Sequence, residues 1–228
     1  MFSVFSAMVG FLFAFSAVLL TAPKRRLLIA DLRMEGFGPR TVVSARADVL
    51  IDSYWRRIFN SGNATLQARG RRAQQIQANG LRIKGLSEIS RPIRVLTDPA
   101  RAGTADTLIV ATKTPGSEEL VQQLRHVQVD AAFSIQNGVL KDELLARTFG
   151  ASRTLGALAD TSGELLASGE VLFTRNVNLF IGELTGESSN RAQRIVSTID
   201  SAGVRASLVP DIVSREWSKF VCWLGFFS

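Results

Sequence analysis

From residue 65 to residue 161 short β-branched runs alternate with polar, helix-forming stretches, and this rhythm restricts the fold more than any other feature of the chain. TLQAR (65–69) reads as a strand running into a turn at Gly70, and residues 71–79 as a short polar helix stopped by Asn79-Gly80. LRIKG (81–85) and PIRVLTD (92–98) carry the apolar pattern of strands. TLIVATK (107–113) reads as a buried central strand. Ser117 is placed as the cap of a helix reaching about Val127, with Glu118 and Glu119 in its first turn. AAFSIQNG (131–138) is another buried strand, Lys141 to Arg147 a helix, and RTLGALADT (153–161) the next strand. Strand, helix, strand, helix in this order implies a mainly parallel sheet covered by helices.

The pattern then changes. GEVLFTR (169–175) and VNLFIGEL (177–184) read as a late antiparallel pair joined by a tight turn near Asn176. Ser189 or Asn190 caps a helix whose apolar positions Ala192, Ile195, Val196, Ile199 and Ala202 share one face. VRASLVPD (204–211) is a final strand, and Ile212 opens an amphipathic helix running to Leu224.

Upstream of residue 65 the chain is of another kind. Its first 22 residues carry no charge and are long enough to span a bilayer as a helix. Lys24, Arg25 and Arg26 follow, which would keep that flank cytoplasmic. A buried helix or a misplaced start are the alternatives. Residues 23–64 define little beyond a short strand at LLIAD (27–31) and a turn near Gly36, Gly38 and Pro39.

The net charge of +7, largely from arginine, suits a phosphorylated cofactor, a membrane surface or a nucleic acid. Nucleic-acid binding has no motif behind it and little aromatic interleaving. One cysteine, Cys222, cannot form an internal disulfide, so nothing points to an oxidising compartment. One histidine, His126, excludes a His-rich metal site, and no metal is expected. His126 is expected to face solvent at a helix end and Cys222 to pack as a small hydrophobe.

Four constellations carry possible chemistry. Arg69, with Arg71 or Arg72, stands where the second strand of a doubly wound sheet meets its helix, the place of the adenosine ribose. Guanidinium there pairs with a 2′-phosphate and favours NADPH; otherwise it is a solvated basic helix start. Lys113 ends the central strand, where it can reach a phosphate or a carboxylate, or simply be an exposed strand-end lysine. Asn137-Gly138 follows a buried strand, and its amide can hold a carboxamide or a substrate oxygen, or form an ordinary turn. Lys219, on the helix after the last strand, can protonate an oxyanion formed from a ketone, or lie on the surface of an amphipathic helix.

Taken in order, ARGRRAQQIQANGLRIKG, TLIVATKT, SIQNGV, SGEVLF with LFIGEL, and DIVSREWSKF resemble the ketopantoate reductase (2-dehydropantoate 2-reductase) family over roughly residues 65–220. The resemblance implies an α/β, Rossmann-like, doubly wound domain over residues 65–211 and the start of a helical domain at 212–228. It implies that Arg69 recognises the NADPH 2′-phosphate, that Lys113 lies beside cofactor and substrate, that Asn137 contacts the cofactor, and that Lys219 is the proton donor. The implied reaction is NADPH-dependent reduction of 2-dehydropantoate to pantoate, on the route to coenzyme A. Its partner is a small 2-oxo acid and its place the cytoplasm, with membrane anchoring by residues 1–22 as the alternative; the oligomeric state stays open.

Two departures stand beside the resemblance. No G-x-G-x-x-G turn precedes Arg69 at the family's distance, and Trp223 and Phe227 occupy positions where the family carries asparagines. Most of the helical second domain is missing, so a truncated or frame-disrupted chain is expected. A catalytically inactive member that at most binds nucleotide is the other functional reading.

Overall fold

A computed structural model describes residues 27–30, 64–112, 114–201 and 204–227. The expected membrane segment at 1–22 and most of the 23–64 stretch lie outside the described residues. Among the described residues no helix is long and apolar enough to cross a membrane.

Ten strands form one sheet. In chain order they are β1 (Leu27–Ala30), β2 (Ala64–Gln67), β3 (Leu81–Gly85), β4 (Ile89–Arg91), β5 (Arg94–Leu96), β6 (Ala105–Val110), β7 (Val129–Ser134), β8 (Thr154–Leu165), β9 (Val171–Glu183) and β10 (Ala206–Leu208). The helices are α1 (Gly70–Asn79), α2 (Ser117–Gln123), α3 (Lys141–Phe149), α4 (Asn190–Asp200) and α5 (Ile212–Phe227). The sheet runs β4-β3-β9-β8-β7-β6-β1-β2-β5, with β10 beside β9. Its segment β5-β2-β1-β6-β7-β8 is parallel throughout and has the order 3-2-1-4-5-6 of a doubly wound fold, which reverses between β1 and β6. The expected mainly parallel α/β sheet is therefore present.

Strand alternation builds the two layers. In β6, Leu108 and Val110 face a core shared with Leu120 and Leu124 of the α2 region and Leu145 of α3. Ile109 and Ala111 face the opposite core, with Ile76 of α1 and Ile199 of α4. A strand buried on both faces in this way explains the unbroken apolar run at 108–111.

The late antiparallel pair exists, but its strands differ from those expected. Residues 171–183 are one continuous strand, and its antiparallel partner is β8. The reversal is at Leu166–Glu170, where Leu166 N–H donates to the Glu170 carbonyl (2.8 Å) and Gly169, at φ +84°, donates to that of Leu166 (2.9 Å). The polar triplet Thr174-Arg175-Asn176 imitates a turn because the register is irregular there, skipping Thr174 and Val177 opposite residues 160–163. Arg175 instead clamps Asp160 across the pair, Nε to Oδ1 at 2.8 Å and Nη2 to Oδ2 at 3.0 Å.

Three smaller expectations are also corrected. Ser117 is the first residue of α2, not its cap; Gly116, at φ +84°, holds the cap position, and the buried Ser117 hydroxyl turns inward. Arg72 is buried and donates through Nη1 to the Gly169 carbonyl (2.6 Å), so it serves the β8–β9 turn and leaves Arg71, on the exposed side, as Arg69's neighbour. Cys222 is exposed rather than packed.

The seat of α5 depends on two glycines. Gly156 and Gly182 face one another across β8 and β9. A Cβ on Gly156 would stand 2.9 Å from Ile212, and one on Gly182 would stand 2.2 Å from the Val209 carbonyl oxygen. Their bare surface lets Ile212, the first residue of α5, bury almost completely. This contact fixes where the following turns of α5 meet the sheet.

Candidate active site

The loops after β6 and β7 are joined at the carboxyl edge of the sheet by a buried polar cluster. Gln136 Nε2 donates to the Thr112 carbonyl (2.7 Å) and hydroxyl (2.6 Å) and also contacts the Ser117 hydroxyl. Ser134 Oγ donates to Gln136 Oε1 (2.9 Å), and the Thr112 and Ser117 hydroxyls share a bond of 2.7 Å. Satisfied buried polar groups such as these hold their backbone to one geometry. They support the next residues, Asn137 and Gly138, the latter at φ +104° with open space around it. Glycine is required there by the backbone angle rather than by crowding.

Asn137 meets Lys219, although 82 residues separate them: Lys219 Nζ donates to Asn137 Oδ1 at 3.3 Å and to the Ala159 carbonyl at 2.9 Å. The second bond follows from the shape of the sheet. β7 pairs with β8 only at Thr154 and Leu155, so among the described residues no strand lies beside that edge of β8 beyond Leu155. Side chains of α5 cover it instead. Ala157 N–H donates to Glu216 Oε1 at 2.9 Å, one helical turn before Lys219.

Glu216 belongs to a buried charged cluster. Its Oε1 accepts from Lys141 Nζ, and Lys141 Nζ also donates to Asp142 Oδ1 (3.0 Å). All three side chains are under a tenth exposed. One ammonium thus stands among two carboxylates. Burial pushes the Glu216 carboxyl up to about 8; Lys141 opposes this and the neighbouring Asp142 adds to it. A cavity of about 700 Å³ opens here, lined among others by Asn137, Lys141, Leu144, Ala159, Glu216 and Lys219.

Of the four residues singled out in the sequence, the fold joins Asn137 and Lys219. Arg69 stands apart, outside the cavity lining. It is half-buried at the end of β2, in the cap position of α1, and Nη2 donates to Gln123 Oε1 on α2 at 2.6 Å. Lys113 lies outside the described residues. His126 is exposed as expected, its Nε2 within 3.1 Å of the Ala102 carbonyl oxygen.

Sequence reasoning missed Gln136, Lys141 and Glu216. Glu216 had a usable signal: it lies four residues after Ile212 and three before Lys219, on the face that α5 turns toward the sheet. Lys141, in the charged first turn of a short helix, had none. Among the described residues no group of His, Cys, Asp or Glu could hold a metal ion.

Comparisons with known proteins agree with this architecture. The family model described as Ketopantoate reductase PanE/ApbA matches residues 57–186, more than half of the chain. A curated 2-dehydropantoate 2-reductase from Archaeoglobus fulgidus is 29% identical over 68% of this chain and 50% of its own length. The chain spans about half the length of the curated relatives it matches. The crystal structure of 2-dehydropantoate 2-reductase from Geobacter metallireducens GS-15 superposes with a TM-score of 0.65 at 24% identity, covering 74% of this chain and 57% of that one. D-mandelate dehydrogenase, solved with NADH and anilino(oxo)acetate, superposes with a TM-score of 0.63 at 15% identity, covering 73% and 55%. The chain belongs to the ketopantoate reductase PanE/ApbA family.

Proposed function

We propose that this chain provides the cofactor-binding domain and the proton-donating lysine of an NADPH-dependent 2-oxo acid reductase. On this reading the substrate is 2-dehydropantoate and the product pantoate, on the route to coenzyme A. One observation carries the reading: Lys219 Nζ, bonded to Asn137 Oδ1, lines a cavity at the carboxyl edge of a doubly wound sheet. The relatives' names support it, as does a fold relative that holds NADH with anilino(oxo)acetate. The single cysteine accords with a cytoplasmic chain.

The residues fit a nicotinamide nucleotide at both ends. Arg69 would hold the 2′-phosphate: its half-buried guanidinium stands at the start of α1, where the chain leaves β2. Asn137 would hold the nicotinamide end. When bound, the cofactor supplies the hydride. The protein's task is to orient the ketone and to meet the charge that develops on its oxygen. Lys219 does this as an ammonium: it donates a hydrogen bond to the ketone oxygen and then passes a proton from Nζ to the alkoxide. The Ala159 carbonyl and Asn137 Oδ1 keep Nζ aimed while it does so.

The test mixes the purified chain with NADPH and 2-dehydropantoate and follows loss of the reduced cofactor. Turnover is expected, and Lys219→Met should lower kcat by about 10²–10⁴. NADPH binding with no turnover in the unaltered chain would instead favour a nucleotide-binding protein without catalysis.

A further inference from the structure

We infer that Glu216 is the proton store of Lys219: a carboxyl group one helical turn away that returns to Nζ the proton it has given up. The return step rests on the reductase reading above, whereas the shared titration of the two groups does not.

Glu216 and Lys219 are three residues apart on α5, a spacing that sets side chains beside each other on one helix face. Both reach the same uncovered edge of β8, Glu216 at the Ala157 N–H and Lys219 at the Ala159 carbonyl. Two residues of strand set the anchor residues about 7 Å apart, a distance that a short chain of cavity waters can span. Both side chains line the same cavity.

Charge favours the same pairing of roles. The groups touching Glu216 are Lys141 and Asp142 of α3 and the Ala157 N–H of β8. Glu118, Arg147 and Lys219 line the same cavity, and beyond Lys219 Asp160 of β8 pairs with Arg175 of β9. Lys141 can neutralise only one of the two carboxylates packed around it. A buried cluster of one ammonium and two carboxylates becomes neutral by keeping one proton. Burial raises the Glu216 carboxyl, so that proton resides there. When Glu216 gives the proton up, the charge left behind is held by Lys141 and by the Ala157 N–H.

The bookkeeping of protons closes. Lys219 Nζ breaks one N–H bond as the alkoxide oxygen gains an O–H bond. Neutral Lys219 then takes the Glu216 proton through the cavity, which restores the ammonium and leaves a carboxylate. Glu216 regains its proton from bulk solvent, which is the one proton that reducing a ketone consumes, and no further oxidant or reductant is needed. Glu216 acts through Lys219 and does not itself meet the substrate, so its role is to position a proton.

The test needs no turnover. Lysines of the full chain are methylated with ¹³C-formaldehyde under reducing conditions, and the Lys219 signal is identified by its absence in Lys219→Arg. Its titration is followed by NMR while the protonated carboxyl stretch is followed by infrared spectroscopy. Coupled groups titrate together, so the Lys219 signal should move in two steps, one coinciding with loss of the carboxyl band. Glu216→Gln should remove both the band and the extra step, and Glu216→Asp should restore them. A single step in the unaltered chain, or two steps that survive in Glu216→Gln, would overturn the proposal. If Glu216→Gln fails to fold, the apolar pair Lys141→Met with Glu216→Leu must abolish the extra step. In a chain that turns over, Glu216→Gln should lower kcat on the order of tenfold, with KM little changed and the alkaline limb of the pH profile displaced. An inactive chain with a two-step titration would sink the reductase reading alone. An active chain with a one-step titration would sink the proton store alone.

Discussion

Arg69 and Lys219 are both long basic side chains at the carboxyl edge of one sheet, yet the fold holds them in different ways. Arg69 is half-buried, and among the described residues its guanidinium is bonded to the exposed amide of Gln123. Lys219 is tied to the Ala159 carbonyl of β8 and to Asn137, which itself stands on the buried Gln136 cluster. One turn earlier, the Lys141–Asp142–Glu216 cluster fastens the same helix to α3 and β8. The contrast accords with the two proposed tasks. A group that only attracts a phosphate tolerates a loose mount, because a charge acts over several ångströms. A group that hands over a proton must be held within hydrogen-bond reach of its target.

The sharpest test of that contrast is Lys141→Ala. It would leave the carboxyl groups of Asp142 and Glu216 buried without their ammonium, and a loss of about 3–5 kcal/mol in denaturant-measured stability is expected. A loss below about 1 kcal/mol would mean that this end is no more firmly mounted than an exposed ion pair. The pH dependence of stability probes the same cluster. Because the Glu216 carboxyl is raised in the folded chain, the fold keeps a proton that the unfolded chain has released. Stability from this group is complete below the ordinary carboxylate range and declines as pH climbs toward about 8. Glu216→Gln should flatten that decline in thermal melts. Glu183 works in the opposite sense. Burial would raise it, but Arg191 and Ser189 outweigh burial and hold it low, so its contribution disappears as pH falls through the acid range.

Arg69→Ala should weaken NADPH binding by about 1.5–3 kcal/mol, leave NADH nearly unchanged and shift the melting temperature little. Equal weakening of both nucleotides in a binding titration would remove the phosphate-clamp role. Gly182→Ala should cost about 1–3 kcal/mol, since its new methyl group meets the Val209 carbonyl and must lift the start of α5. Its effect on Lys219-dependent turnover should exceed its effect on NADPH affinity. Arg175→Ala breaks an ion pair whose members are about half exposed, and less than about 1 kcal/mol is expected in a denaturation curve.

Much of the parallel half was legible in the sequence, because strands buried on both faces write unbroken apolar runs such as Leu108–Ala111. Asn137 and Lys219 were found from their motifs. Nothing local could say that they touch, since the contact is made by the sheet and not by neighbours in the chain. The β8–β9 pair was misread because a strand irregularity and a turn use the same polar residues, here Thr174, Arg175 and Asn176. The Lys141–Glu216 pair was out of reach for a related reason. A charge on a short helix reads as solvated, and only a partner 75 residues away makes it a buried one.

The overhang of β8 past the end of β7 carries one more implication. Lys219 and Glu216 take hold of main-chain atoms, a carbonyl that every residue type supplies and an N–H that all but proline supply. Drift in the strand's side chains therefore passes beneath these two anchors without moving them, and Ala157→Pro is the substitution that would cut one away. An anchorage written in backbone is inherited with the topology, even where little of the wording around it survives.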